Sequence, residues 1–493
     1  MKHLRAVITV ILLIPIAVGA VLAQTPDQKA PPSTIARLTR YLDALESRGF
    51  SGSVLVELNG AIAISHGYGY ANKEHHLSNT PGTVFDIGSI TKQFTSAAIL
   101  TLDMQGKLRV EDSIGVYFPG VPKDKAGITL HQLLRHASGL PSNIGRDYER
   151  ITRDAFVDSV FRTPLRFAPG TRFSYSNIGY SLLAMIVEKA SGQPYEEYLY
   201  THLWKPAGME WTGYRRPDFS PDAVATGYNR DGEVWGKPTE KPWDTDAPFW
   251  HLKGNGGVLS TTGDLLRWHH ALLGTAILSE QAKVKYFHPE LRTDESPDSY
   301  YAYGWDVHRT PRGTYVIQHN GANGFFYADF SRYTDEGVAI IALMNQMHPS
   351  FTAVNSELAR IIFDPGYTPL IPIADNEANR AFTASLIAQS VNEGADRSFE
   401  AYKRRAPGLD LVEFRVNEKG YALLGDRQLQ QAIEVFRLNV LVYPASANAF
   451  DSLGEAYMTA GMKELATENY RKSLALDPGN RNAEEMIEKL SRE

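Results

Sequence analysis

Ser89-Ile-Thr-Lys92 sets a hydroxyl and an amine three residues apart. On a helix that spacing puts both on one face, where an amine can activate a hydroxyl as a nucleophile. Gly88 precedes the serine, and an apolar helical pattern (Phe94, Ala97, Ala98, Leu100, Leu102) follows it. Ser89 is therefore expected at a helix N-terminus, where backbone N–H groups favour developing negative charge. Tyr175-Ser-Asn177 follows Pro169-Gly170 and enters a second apolar helical run, a suitable mount for a catalytic side chain. The same Tyr-x-Asn pattern, Tyr70-Ala-Asn72, ends a strand ahead of Ser89. His319-Asn-Gly321 ends a β-rich run, and its glycine permits a close backbone approach. Taken singly, each of these motifs fits a structural or solvated role better. The pairs His75-His76 and His269-His270 read as solvated or structural, because adjacent side chains on a regular element point apart. No metal or cofactor is expected, and no Gly-x-Ser-x-Gly elbow is present.

The elements that must position these groups follow from pattern. Ser33-Thr34 can cap a helix carrying Ile35, Leu38, Tyr41, Leu42 and Leu45, ended by Gly49. Ser53 to Leu58 and Ala61 to Tyr70 are β-rich runs around Asn59-Gly60, a strong hairpin signal. Thr83 to Leu278 is mostly helical, and three β-rich runs come late: Tyr315 to Gln318, Phe325 to Phe330 and Gly337 to Met344. Strands at both ends with helices between predict an α+β fold, an antiparallel sheet closed by the two chain ends with a helical insertion. Beyond Asp364-Pro365-Gly366 the β signal vanishes. Ala432, Phe436 and Pro444 recur as Ala466, Tyr470 and Pro478, each displaced by 34 residues. That period resembles the tetratricopeptide repeat, with a degenerate third copy at Ser398 and Tyr402 and a capping helix from Asn482 to Leu490.

Of 493 residues, 43% are hydrophobic and 22% charged, which excludes a disordered or multi-span membrane protein. The net charge of −6, with no strongly basic stretch, makes nucleic acid an unexpected partner. Zero cysteine removes disulfides, thiolate metal sites and a Cys nucleophile. Lys2 and Arg5, the apolar run Ala6 to Ala23 and small residues before Gln24 read as an export signal, with no membrane span expected after cleavage. A retained membrane anchor is the alternative, since the run is close to the shortest that spans. The expected parts are 1–23 signal peptide, 33–365 the α+β domain that carries Ser89, 366–378 linker and 379–493 repeats.

In combination, Ser89-x-x-Lys92, Tyr175-x-Asn177 and His319-x-Gly321 resemble the penicillin-recognising serine hydrolases. The likeness is to the branch of class C β-lactamases, DD-peptidases and family VIII esterases, over about residues 34 to 363. Phe85 to Phe94, Leu133-Leu-Arg-His-Ala-Ser-Gly-Leu140 and Gly256 to Leu265 extend it. The resemblance implies a β-lactamase/transpeptidase-like fold and a Ser89 acyl-enzyme. It implies that Lys92 and Tyr175 activate the serine, and that Asn177 holds the substrate amide and orients Lys92. His319 would lie along the substrate strand, and the oxyanion hole would be the N–H groups of Ser89 and Ala322. Ionising a free Tyr at neutral pH costs about 4 kcal/mol, and a neutral Lys92 needs a shift of similar size, so which of the two is the base stays open. Class C enzymes carry Lys-Thr-Gly where this chain has His319-Asn-Gly321. The His favours peptide or amide substrates, then esters or lactones, over efficient β-lactam hydrolysis. A non-catalytic ligand sensor whose repeats recruit a protein partner is the rival reading. Trp235, Trp243, Phe249 and Trp250 are expected to wall the cleft or to pack loops.

Overall fold

The computed structural model describes residues 32–243, 248–293, 298–478 and 480–492. The export signal expected over 1–23 lies outside these residues. Asn59 and Gly60 both adopt positive φ (51° and 77°), the conformation a tight hairpin requires. They join β1 (Gly52–Leu58) to β2 (Ala61–Tyr68). Short strands β3 (Leu291–Arg292), β4 (Ser299–Tyr301) and β5 (Asp306–Arg309) precede the long strands β6 (Tyr315–Ala322), β7 (Tyr327–Tyr333) and β8 (Val338–Met344). They form one antiparallel sheet in the order β2-β1-β8-β7-β6-β5-β4-β3. The pairing of β1 with β8, from Gly52–Met344 to Leu58–Val338, closes the sheet with the two chain ends as expected. β3 to β5 were not anticipated.

Alternation along the central strands feeds two cores. Val54, Val56, Ile340 and Ala342 face α1 (Pro32–Glu46) and α5 (Val354–Phe363). Leu55, Ile341 and Leu343 face the larger core around α2 (Thr91–Met104), α3 (Asn177–Ser191) and α4 (Thr262–Leu273). α1 begins at Pro32, so Ser33 and Thr34 lie within its first turn rather than capping it.

The remainder is helical: α6 (Glu377–Glu393), α7 (Ala395–Lys403), α8 (Glu413–Gly425), α9 (Leu429–Val442), α10 (Ala447–Thr459), α11 (Lys463–Leu476) and α12 (Arg481–Arg492). Ser398, Ala432 and Ala466 are fully buried at matching places on α7, α9 and α11. Gly420 on α8 and Gly454 on α10 lie against the rings of Phe436 and Tyr470, where a Cβ would come within 2.4 and 3.0 Å. The small residues let paired helices approach at the 34-residue spacing seen in the sequence.

These helices join the sheet domain through ions. Asp375 accepts a bidentate pair from Arg415 of α8 (Nε at 2.6 Å, Nη2 at 2.5 Å), and His348 Nε2 lies 3.3 Å away. No helix among the described residues is long and apolar enough to cross a membrane.

Candidate active site

Ser89 sits in a single 3₁₀ turn, Gly88–Ile90, that runs directly into α2. The turn is fixed by Asp86, whose Oδ1 accepts the Gly88 N–H at 2.8 Å, while its Oδ2 accepts from Asn323 Nδ2 at 2.8 Å. Burial pushes the Asp86 carboxyl up to about 7. One turn on, Lys92 Nζ hydrogen-bonds Ser89 Oγ at 3.0 Å and donates to the Asn255 carbonyl at 2.7 Å. Lys92 is fully buried, and desolvation holds its amine well below the ordinary lysine range. The expectation that Asn177 orients Lys92 is corrected here: the Asn255 carbonyl does so. Gly254 and Gly257 take positive φ, and a Cβ on Gly254 would come within 2.5 Å of the Ala184 Cβ, so this loop lies directly on α3. Asn255 Nδ2 in turn donates to Ser181 Oγ at 2.9 Å, tying the carbonyl to that helix.

Tyr175 arrives from the loop that enters α3, where Ser176 is the N-cap and its Oγ accepts from the Gly179 N–H. The phenol is a hydrogen-bonding neighbour of Ser89, and the Lys92 Nζ lies 4.7 Å from its ring centroid. Burial drives the phenol well above its ordinary pKa, with the Ser89 hydrogen bond opposing. His136 packs on the same ring, 4.1 Å between centroids, and its Nδ1 accepts the Ser176 N–H at 3.0 Å. It is a positioning group for the tyrosine. Asn177 donates Nδ2 to Asn143 at 2.8 Å, and its Oδ1 is buried with no partner among the described residues.

His319 lies on β6, 2% exposed. Its Nδ1 is 2.5 Å from the Asn320 carbonyl, which can only accept, so Nδ1 carries the proton. Nε2 then accepts from the Tyr301 hydroxyl at 3.0 Å. Desolvation pulls the imidazole down to about 3. It is a neutral, saturated residue that presents no cation. Gly321 makes the close approach: a Cβ there would fall 2.0 Å from the Ile87 carbonyl oxygen and 2.8 Å from the Ser89 nitrogen. A Cβ on Gly88 would fall 2.7 Å from the Ala322 nitrogen. The Ser89 and Ala322 N–H groups are thus brought together, the arrangement an oxyanion hole needs. β5 pairs with β6 only as far as Asp306–Gln318, so residues 319–322 continue beyond it.

Elsewhere, Tyr70 is exposed on a small separate two-stranded ladder and Asn72 Nδ2 bonds Thr226, so this second Tyr-x-Asn is not at the site. Glu57, His269 and His270 form the one potential metal cluster among the described residues. His269 Nδ1 accepts from Arg332 Nε at 3.0 Å, which puts the proton on Nε2, the nitrogen facing Glu57. That tautomer has no lone pair for an ion there. His136 and Asn255 were the functional groups not singled out. The His of Leu133 to Leu140 and the glycines flanking Asn255 were the available signals.

Residues 36–362 match the beta-lactamase family. The chain is 31% identical over 316 residues to a penicillin-binding protein of Bacillus subtilis, spanning 61% of this chain and 69% of that one. A solved penicillin binding protein from Bacillus halodurans superposes with a TM-score of 0.56 at 26% identity, over 65% of this chain and 98% of that one. The D-amino acid amidase from Ochrobactrum anthropi SV3 gives 0.57 at 25% identity, over 67% and 97%.

Proposed function

The chain belongs to the beta-lactamase family of serine hydrolases, and from that premise we propose that it cleaves amide or peptide bonds, and secondarily esters, through a Ser89 acyl-enzyme. The observation that carries this reading is the buried Lys92 amine, 3.0 Å from Ser89 Oγ and anchored at 2.7 Å to the Asn255 carbonyl. Burial disfavours both an ammonium at Lys92 and a phenolate at Tyr175, so the neutral pair is the resting state. The Lys92 lone pair takes the Ser89 proton as Oγ attacks the carbonyl carbon. The oxyanion forms between the Ser89 and Ala322 N–H groups. Tyr175, bonded to Ser89, relays the proton to the leaving group, and water reverses the sequence to release the acid.

His319 supplies no cation for a substrate carboxylate, which favours amides, including those of D-residues, over β-lactams. The likeness to a D-amino acid amidase supports the same ranking. Residues 1–23 direct export, and residues 379–493 form tetratricopeptide-like repeats that recruit a protein partner. A sensor that merely binds would not require the Ser89, Lys92 and Tyr175 set together.

A fluorophosphonate or fluorescent penicillin, followed by mass mapping, should label Ser89. Ser89→Ala should lose the label and melt at an unchanged temperature; normal turnover by that variant sinks the assignment. Amides and peptides of D-alanine, p-nitrophenyl esters and nitrocefin, compared by kcat/KM, then rank the substrates. Nitrocefin ranking first would overturn the proposed order.

A further inference from the structure

An aromatic cluster that the proposed chemistry does not use is linked by contacts to the turn that carries Ser89. Trp235 lies on a hairpin of Gly227–Tyr228 and Val234–Gly236. Its ring stacks on Phe325, 4.7 Å between centroids and 17° from parallel, and lies 5.4 Å from that of Tyr148. The backbone N–H groups of Phe325 and Phe326 donate to Asn323 Oδ1 at 3.0 and 2.8 Å. Asn323 is the residue that holds Asp86, and Asp86 holds Gly88. Contacts therefore run unbroken from Trp235 to the residue before the nucleophile.

The opposite end of the same hairpin is held by the C-terminal helices. Arg415 Nη2 of α8 donates to Asp231 Oδ1 at 2.8 Å, and Arg230 Nη2 lies 2.5 Å from Glu418 Oε1. Gln346 Nε2 pins the turn's backbone by donating to the carbonyls of Asn229 (3.1 Å) and Arg230 (3.2 Å). An isolated surface ion pair contributes only ~0–1 kcal/mol. Arg415 differs, because the bidentate pair with Asp375 already fixes its guanidinium. Its further bond to Asp231 orders little more of the side chain.

We propose that the C-terminal helices are a working part of the active site. Through Arg415 and Glu418 they clamp the 227–236 hairpin, and the hairpin seats Trp235 against Phe325 and Tyr148 as the wall that guides substrate to Ser89. Arg415 and Trp235 are positioning residues. The effect on substrate rests on Ser89 being the nucleophile, whereas the clamp itself does not.

The test uses the full chain, a fluorophosphonate with an alkyl–fluorophore arm, and the variants Arg415→Met, Trp235→Ala and their combination. Each single variant should label about five-fold more slowly or worse at low probe concentration, through a weaker saturation constant with the maximal rate preserved. The combination should label no more slowly than Trp235→Ala alone. Hydrogen exchange at residues 323–326 should rise in Arg415→Met. Arg397→Ala on α7, which breaks an exposed pair with Glu393 at the end of α6, should change neither reading. If Arg415→Met fails to fold, Asp231→Ala removes the hairpin's acceptor for Arg415 while keeping the Arg415–Asp375 pair, and the same outcomes apply. Unchanged exchange at 323–326, or labelling effects that multiply in the combination, overturns the proposal. A wild-type chain unlabelled at Ser89 overturns the proposed function instead, and exchange alone then decides the clamp.

Discussion

Lys92 and His319 are both driven toward the neutral form by burial, with opposite consequences for catalysis. A neutral lysine gains a lone pair and becomes a base. A neutral histidine with both nitrogens occupied loses its capacity to hold an anion. Protonating Lys92 removes the base, so labelling of Ser89 should fall as pH falls through the lowered Lys92 pKa and be restored above it. His319 protonates only near pH 3, so it contributes no limb at ordinary pH. In a pH series of labelling rates, His319→Gln should slow the reaction and leave the acid limb in place. A limb displaced by that substitution would show that His319 titrates in the working range. Ser89, Lys92, Tyr175 and His319 were legible in the sequence because their spacings are short and their side chains have few chemical uses. The Asn255 carbonyl was not, since a backbone acceptor leaves no residue-type signature. His136 acts across 39 positions of sequence on Tyr175, and only the fold makes them neighbours.

Strand β6 and the Ser89 turn meet without side chains between them, and that contact aligns the two N–H groups proposed for the oxyanion. The atoms a Cβ on Gly321 would strike, the Ile87 oxygen and Ser89 nitrogen, are both backbone and cannot swing aside. Gly321→Ala must therefore displace either the strand or the nucleophile turn. The expected result is a kcat lower by about 10²-fold, with KM changed less, and a stability loss of about 1–3 kcal/mol. Gly127→Ala, whose Cβ meets nothing within 4 Å, is the matched control. Equal activity of the two variants would show that the close approach is not needed. At this scale the sequence marked β1, β2, β6, β7 and β8 through alternation and the Asn59-Gly60 turn. It did not mark β3, β4 and β5, which are two to four residues long and too short to establish a period.

Across the whole molecule, Asp375 stands where the sheet domain hands over to the helices, and its carboxylate is the one that takes both Arg415 nitrogens, Nε and Nη2. The handover was visible as Pro and Gly punctuation followed by loss of the β pattern. Its chemistry was not, because Arg415 lies 40 residues from Asp375 and 184 from Asp231, and charges so far apart give no local signal. Burial opposes ionisation of Asp375, but hydrogen bonds from His348 and Arg415 outweigh it and hold the carboxyl down at about 2. An unfolded Asp titrates near 3.9. The folded pKa is the lower one, so the ionised pair stabilises fully above about pH 4, and that contribution is lost as pH falls through about 2. Asp375→Asn removes the charge at every pH. The wild type should therefore resist urea more than the variant by about 1–2 kcal/mol from pH 7 down to pH 4. Below pH 4 the two curves should converge, because acid then does to the wild type what the substitution has done to the variant. A gap that widens toward acid, or none at pH 7, would mean that the Asp375 carboxylate does not help join the two parts and that the remaining contacts, the Arg415–Asp231 and Arg230–Glu418 pairs among them, hold the helices.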